Sequence, residues 1–172
     1  MRFTPVFGWP YQSGRDQPDG PNLGEGLALA IEKTIAGLVG PWSPWVPTLT
    51  NLTLGNGTQV AIYNRVGPAV DWYWSFTLGS TSAVGSVPTF TLPFAPSASY
   101  TAGNSVMGPA SLVDVGILGY PAITYLNSAT ALKFAPFSAS GTYAATVDVT
   151  ATVPFTWGTG DFMSASGRYL AA

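Results

Sequence analysis

Between residues 70 and 78 the chain alternates without a slip: Val70, Trp72, Trp74, Phe76 and Leu78 take the even positions, and Asp71, Tyr73, Ser75 and Thr77 the odd ones. Side chains of a strand point to opposite faces in turn, so this stretch sends three large aromatics and two aliphatics into one core and a hydrophilic row the other way. Aromatic and β-branched groups suit a pleated, half-buried surface. Burying the five apolar ones contributes roughly 8–15 kcal/mol of gross transfer energy, from which the entropy of ordering must be subtracted. The pattern predicts the central strand of an antiparallel sandwich.

Shorter versions of this rhythm surround it. Residues 48–54 read as a strand leading into Gly55-Asn56-Gly57, a hairpin-type turn, and 58–66 as its partner, with Val60, Ile62 and Val66 inward. Residues 87–92 form a short strand next to prolines. Residues 111–118 place Val113, Val115 and Ile117 on one face and Leu112, Asp114, Gly116 and Leu118 on the other. Residues 122–126 and 131–135 flank a second turn at 127–130. Val147, Val149, Ala151 and Val153 alternate with Asp148, Thr150 and Thr152, which predicts a half-buried strand, and 164–170 is the last one. The Ser/Ala/Gly-rich stretch 93–108 is the longest loop, and it offers Tyr100 and Asn104 as an exposed tip. The whole predicts a mostly β fold, an antiparallel β-sandwich that is jelly-roll-like in strand number.

Before the sandwich (48–172) the pattern changes three times. Residues 1–22 form an extended arm broken by prolines, yet Phe3, Val6, Phe7, Trp9 and Tyr11 make it too apolar for a free tail, so it should dock. Residues 23–39 carry a short helix. Asn22 is placed to cap it with Glu25 three residues on, and Gly40-Pro41 ends it. Leu23, Leu27, Ala30, Ile31, Thr34, Ile35 and Leu38 share one stripe. A lone helix of this length is marginal in water, so the stripe needs cover, either from the sandwich or from copies of itself around an axis, where Gly24, Gly26 and Gly37 would allow close approach. Residues 40–47, with three prolines and Trp42 and Trp45, read as a stiff linker.

Composition sharpens this picture. Charged residues make up 8% of the chain, against about 25% in an average globular protein. Soluble monomers usually rely on dense mixed charge, so much of this surface is expected to be covered in an assembly. The six cations are scattered, which argues against a nucleic-acid partner. With no Cys and no His, disulfides, thiolate or His-ligated metals and His-dependent triads are excluded. No cofactor is expected. No stretch reaches the roughly 18 apolar residues of a membrane span, and the opening residues have no apolar core of a secretory signal.

Little remains that could carry chemistry. Asp71, Asp114, Asp148 and Asp161 are the carboxylates of the β region, and glycosidases do use paired acids, but the first three occupy polar slots of alternating stretches, where an outward solvated Asp is the plainer reading. Asp16-Gln-Pro-Asp19 is a poor calcium loop and reads as a turn. The sequons at Asn51 and Asn56 are expected by chance in so Thr-rich a chain. Gly55-Asn-Gly57 and Gly158-Thr-Gly160 lie between strands and do not make phosphate loops. Trp72, Tyr73, Trp74, Tyr100, Tyr120, Tyr125 and Trp157 could stack on sugars, with core packing the plainer role for Trp72 and Trp74.

Two groups of motifs resemble a known class. Thr4-Pro-Val-Phe-Gly-Trp-Pro-Tyr-Gln12, then Pro18-Asp-Gly-Pro-Asn-Leu-Gly24 and the short helix, are similar to the N-terminal segment of minor tail proteins and related virion proteins of tailed actinobacterial phages. Trp45-Val-Pro-Thr-Leu49, Leu52-Thr-Leu-Gly-Asn-Gly57, Tyr63-Asn-Arg-Val-Gly67, Phe76-Thr-Leu-Gly-Ser80 and Phe155-Thr-Trp-Gly-Thr-Gly-Asp161 resemble the β domain that often follows there. The resemblance implies a non-enzymatic virion protein, a minor tail component or a capsid decoration or head-fibre protein, made in the host cytoplasm. It implies a homotrimer that meets other virion proteins (tail or major capsid) through its N-terminal segment and points its β domain outward, with a host cell-surface glycan as a possible ligand. No catalytic residue carries over. The alternatives are a carbohydrate-binding β-sandwich module and an Asp-based hydrolase.

Overall fold

The structure is a computed structural model. It describes residues 2–3, 9–11, 20–38 and 40–172, with side chains at 9, 24–35 and 40–172. The chain divides into two units, Met1–Pro41 and Trp42–Ala172.

In the first unit, β1 (Arg2–Phe3) pairs antiparallel with β2 (Pro10–Tyr11), and α1 spans Gly20–Leu38. The helix begins three residues before the expected start. Pro21 then falls in the first turn, where its fixed φ suits a helix and its missing N–H has no partner to lose. Asn22 therefore lies inside the helix and is not its cap. Leu27, Ala30, Ile31 and Thr34 are half-buried, whereas Ile35 is 52% exposed and drops out of the covered stripe. Part of the cover comes from the arm itself: the Trp9 indole N–H donates to Thr34 Oγ1 at 3.0 Å, and that hydroxyl donates to the Ala30 carbonyl at 2.8 Å. Val6 and Phe7 lie outside the described residues, as do the side chains of Phe3, Tyr11, Leu23 and Leu38.

The second unit is one curled antiparallel sheet with a sandwich-like core. Its strands are β3 (Ser43–Pro44), β4 (Leu49–Thr53), β5 (Thr58–Val66), β6 (Ala69–Thr77), β7 (Ala83–Thr91), β8 (Val106–Asp114), β9 (Leu118–Leu126), β10 (Ala131–Ser138), β11 (Ala145–Thr146) and β12 (Phe162–Leu170). They run in the order β3-β5-β6-β12-β8-β9-β10-β7-β4, with β11 added to β10. Residues 42–47 belong to this unit rather than to a linker. The Trp45 N–H bonds the Ala61 carbonyl of β5, and the Thr48 carbonyl accepts from Thr91 of β7. One bent segment thus stitches together strands at opposite ends of the sheet order, with Trp45 Nε1 donating to the Thr91 carbonyl.

The expected centre is the observed one. Val70, Trp72, Trp74, Phe76 and Leu78 are each at most 4% exposed. Trp74 stacks on Phe90 of β7 (centroids 4.5 Å, planes 7° apart) and meets Phe134 of β10 at 5.6 Å, so β6 packs across the core on strands far from it in hydrogen-bonding order. Its register neighbours are Ala61 and Ala165, small residues that leave room for the indole. This reverses the expected orientation of β5: Ala61 faces in, and Val60 is 48% exposed.

Three other expectations fail for related reasons. Gly55-Asn56-Gly57 does turn the chain, with the Gly57 N–H on the Leu54 carbonyl, but β4 pairs with β7 and β5 with β6, so the turn is an arch and not a hairpin. Asn56 spends its side chain on the neighbouring arch, donating to Ser80 Oγ and accepting from the Thr81 N–H. Residues 111–118 are not one strand: β8 ends at Asp114, and Gly116, at φ 82°, turns it into β9. Residues 147–153 make no strand either. Val149 alone is fully buried, and its carbonyl takes the Val87 N–H where β7 breaks away from β10.

Candidate functional surfaces

The sheet register writes out the face that turns away from the core. Val60, Ser75, Ser164, Ser111 and Pro121 form one row across β5, β6, β12, β8 and β9. Thr58, Thr77, Phe162, Val113 and Gly119 form the row beside it. On the other side come Ile62, Tyr73 and Ser166, continued by Pro109 and Ile123. Beyond these, Asn64, Asp71 and Arg168 line up. Only the last row carries charge, and it cancels. Arg168 grips Asp71 with two bonds, Nε to Oδ1 at 2.8 Å and Nη2 to Oδ2 at 2.7 Å. That hydrogen-bonded pairing, with the carboxylate's charge behind it, raises the already high guanidinium pKa. The middle of the face is hydroxyls, prolines and apolar side chains, with a shallow hollow between Tyr73, Pro109, Ser111, Ser164 and Ser166.

The carboxylates are bound up in the architecture. Asp148 pairs with Lys133 at 2.6 Å. Asp161 is 4% exposed. Its Oδ1 accepts the Val115 N–H at 3.1 Å and its Oδ2 the Gly158 N–H at 2.6 Å, tying the 157–161 loop to the β8–β9 turn. Asp114 closes β8 just before that turn. Among the described residues no group of three or more His, Cys, Asp or Glu side chains could hold a metal ion, and no helix is long and apolar enough to cross a membrane. Asp16 and Asp19 lie outside the described residues.

The expected tip residues separate. Asn104 is exposed, but Tyr100 is not a free contact residue: it packs against the core, and its hydroxyl accepts the Leu170 N–H at 3.1 Å. Trp72 and Trp74 are buried, Tyr120 and Trp157 pack on Phe155, and Trp157 Nε1 donates to the Thr150 carbonyl. Tyr169, unnoticed in the sequence, clamps the long loop from below. It donates to the Phe94 carbonyl and accepts the Phe94 N–H. Burial pushes its hydroxyl up to about 12, against the opposing effects of that backbone bond and the Arg65 charge.

Tyr125 opens on a cleft. The cleft, about 280 Å³, lies between the turn that contains Gly103 and the segment running from Thr146 to Asp148, with Tyr125 and Lys133 lining it. Tyr125 and Lys133 are direct cross-strand partners on β9 and β10. Phe137, in register with Thr146, is 48% exposed, and Tyr143 on the same excursion is 84% exposed.

No family model, curated protein or solved structure matches the chain.

Proposed function

We propose that the chain is a non-enzymatic structural protein of a phage particle, a minor tail component or a capsid decoration or fibre protein. In this reading it assembles as a homotrimer, attaches through its N-terminal unit and displays the β unit toward the host surface. The observation that carries it is the outer face of β5, β6, β12, β8 and β9, whose charged members, Asp71 and Arg168, neutralise each other. Five strands at about 4.8 Å and four rows at about 6.8 Å span roughly 650 Å² per copy. Three copies around an axis would hide about 2,000 Å² in all, or about 650 Å² for each pairwise contact, so this face would supply one part of an interface of the usual size, about 1,200–2,000 Å². A monomer gains solubility from charge on such a face, whereas a packed copy gains by having none to desolvate. The carboxylates support the same reading, since Asp71, Asp148 and Asp161 are engaged by Arg168, Lys133 and backbone amides. Labelling intact virions of the encoding phage with an antibody against the β unit tests it. Label on the particle exterior is expected, and purified particles that lack the chain would overturn the proposal.

A further inference from the structure

We infer that the cleft between the Gly103 turn and the Thr146–Asp148 segment is a subsite for one neutral hexopyranose ring. The inference deepens the display reading, on which it rests for its setting, by naming what the displayed β unit would recognise.

The cleft carries one charge of each sign. Lys133 Nζ and Asp148 Oδ1 stand 2.6 Å apart, so the cleft offers a donor and an acceptor side by side with no net charge. A phosphate, sulfate or sialic acid would find its attraction to Lys133 cancelled by Asp148, and a cation the reverse. A vicinal diol matches both groups at once: one hydroxyl donates to the carboxylate, and the neighbouring oxygen accepts from the ammonium. Hydrogen bonds to ionised partners are the strong kind, and the pair is already held together, so little ordering remains to be done on binding.

Shape points the same way. Tyr125, cross-strand from Lys133, lines the cleft beside it and carries a hydroxyl that can both donate and accept. Thr146 adds a hydroxyl to the wall. A volume of about 280 Å³ suits a single ring rather than a peptide stretch, and it lies at the small end of ligand sites. Phe137 and Tyr143 stand exposed on the adjoining excursion, where the next residue of a glycan chain could stack.

Saturation-transfer NMR on the full chain, with a panel of methyl glucoside, galactoside, mannoside and N-acetylglucosaminide at millimolar concentration, tests the inference. Transfer to the ring protons of at least one glycoside is expected. Tyr125→Ala and Asp148→Asn should each weaken binding roughly tenfold or more, the scale of one charge-assisted bond, with thermal unfolding confirming that each variant folds. Should Tyr125→Ala fail to fold, Asp148→Asn decides, because the Asp148 side chain is 47% exposed. No transfer from any glycoside, or transfer unchanged in the folded variants, would overturn the subsite. A trimer that binds no sugar removes the subsite and leaves the assembly reading intact; a sugar-binding monomer does the opposite.

Discussion

Replacing Asp161 should be the most damaging single change outside the aromatic core. Its carboxylate, 4% exposed, satisfies two backbone N–H groups, those of Val115 and Gly158. Its own carbonyl accepts the Leu78 N–H, and the Gly160 N–H returns to the Leu78 carbonyl, so the loop is sewn to the end of β6 as well. Truncation in Asp161→Ala strands both amides. At about 1.5–3 kcal/mol for each bond to a charged acceptor, the loss should be about 3–6 kcal/mol. In Asp161→Asn one oxygen still accepts, but the amide nitrogen meets an N–H, so one bond is lost and the effect falls to about half. A domain of this size shifts by roughly 3–5 °C per kcal/mol, which puts Asp161→Ala about 10–30 °C below the parent. Urea unfolding followed by the fluorescence of buried Trp72 and Trp74 reads the difference. An Asp161→Ala variant within about 0.5 kcal/mol of the parent, the range of ordinary surface changes, would show that the two bonds do not hold the loop.

Other expectations follow from the same packing. A Cβ at Gly167 would run into the Met107 carbonyl and lie 3.1 Å from Trp72 Nε1, so Gly167→Ala should cost about 1–3 kcal/mol of overpacking; Gly119→Ala, with nothing within 4 Å of its Cβ, should be near neutral in the same denaturant titration. Tyr169 should ionise late, because burial raises its pKa. The unfolded chain releases that proton near pH 10 and the folded chain only near 12, so the unfolded state binds fewer protons in that window and stability must fall as pH rises through it; tyrosinate absorbance should show one late group that Tyr169→Phe removes. Ser164→Lys, in the middle of the outer face, should leave the fold intact but weaken self-association at least a hundredfold by burying an unpaired charge, as read by sedimentation velocity.

The sequence was most legible where a strong period met a large volume. Val70 to Leu78 could be placed because three aromatics at every second position admit one orientation only. Its neighbour β5 was harder, since Val60 and Ile62 on one side and Ala61 and Tyr63 on the other are both apolar enough to be core. The choice was made by Trp74, which needs Ala61 and Ala165 beside it, and register across strands is not written in a single strand. Residues 147–153 alternate well but find no partner strand along their length, and an alternating stretch without a ladder cannot stay extended. Asn56 made a good turn signal and a misleading hairpin signal, because its side chain answers to Ser80 and Thr81 of another loop.

The cleft was the least legible part. Tyr125 stood among seven aromatics that might meet a sugar, and nothing local singled it out. Lys133 and Asp148 lie fifteen residues apart, and only the return of the chain past β10 brings them together. One signal was available: Lys133 is a charged residue at an alternating position of an otherwise apolar strand, which calls for a partner above it.

Sedimentation equilibrium of the full chain at micromolar concentration tests the central claim most directly. A species of three times the 17.9 kDa chain mass is expected, returned to single chains by Ser164→Lys. A stable, well-behaved monomer of the unmodified chain across the concentration range would contradict it.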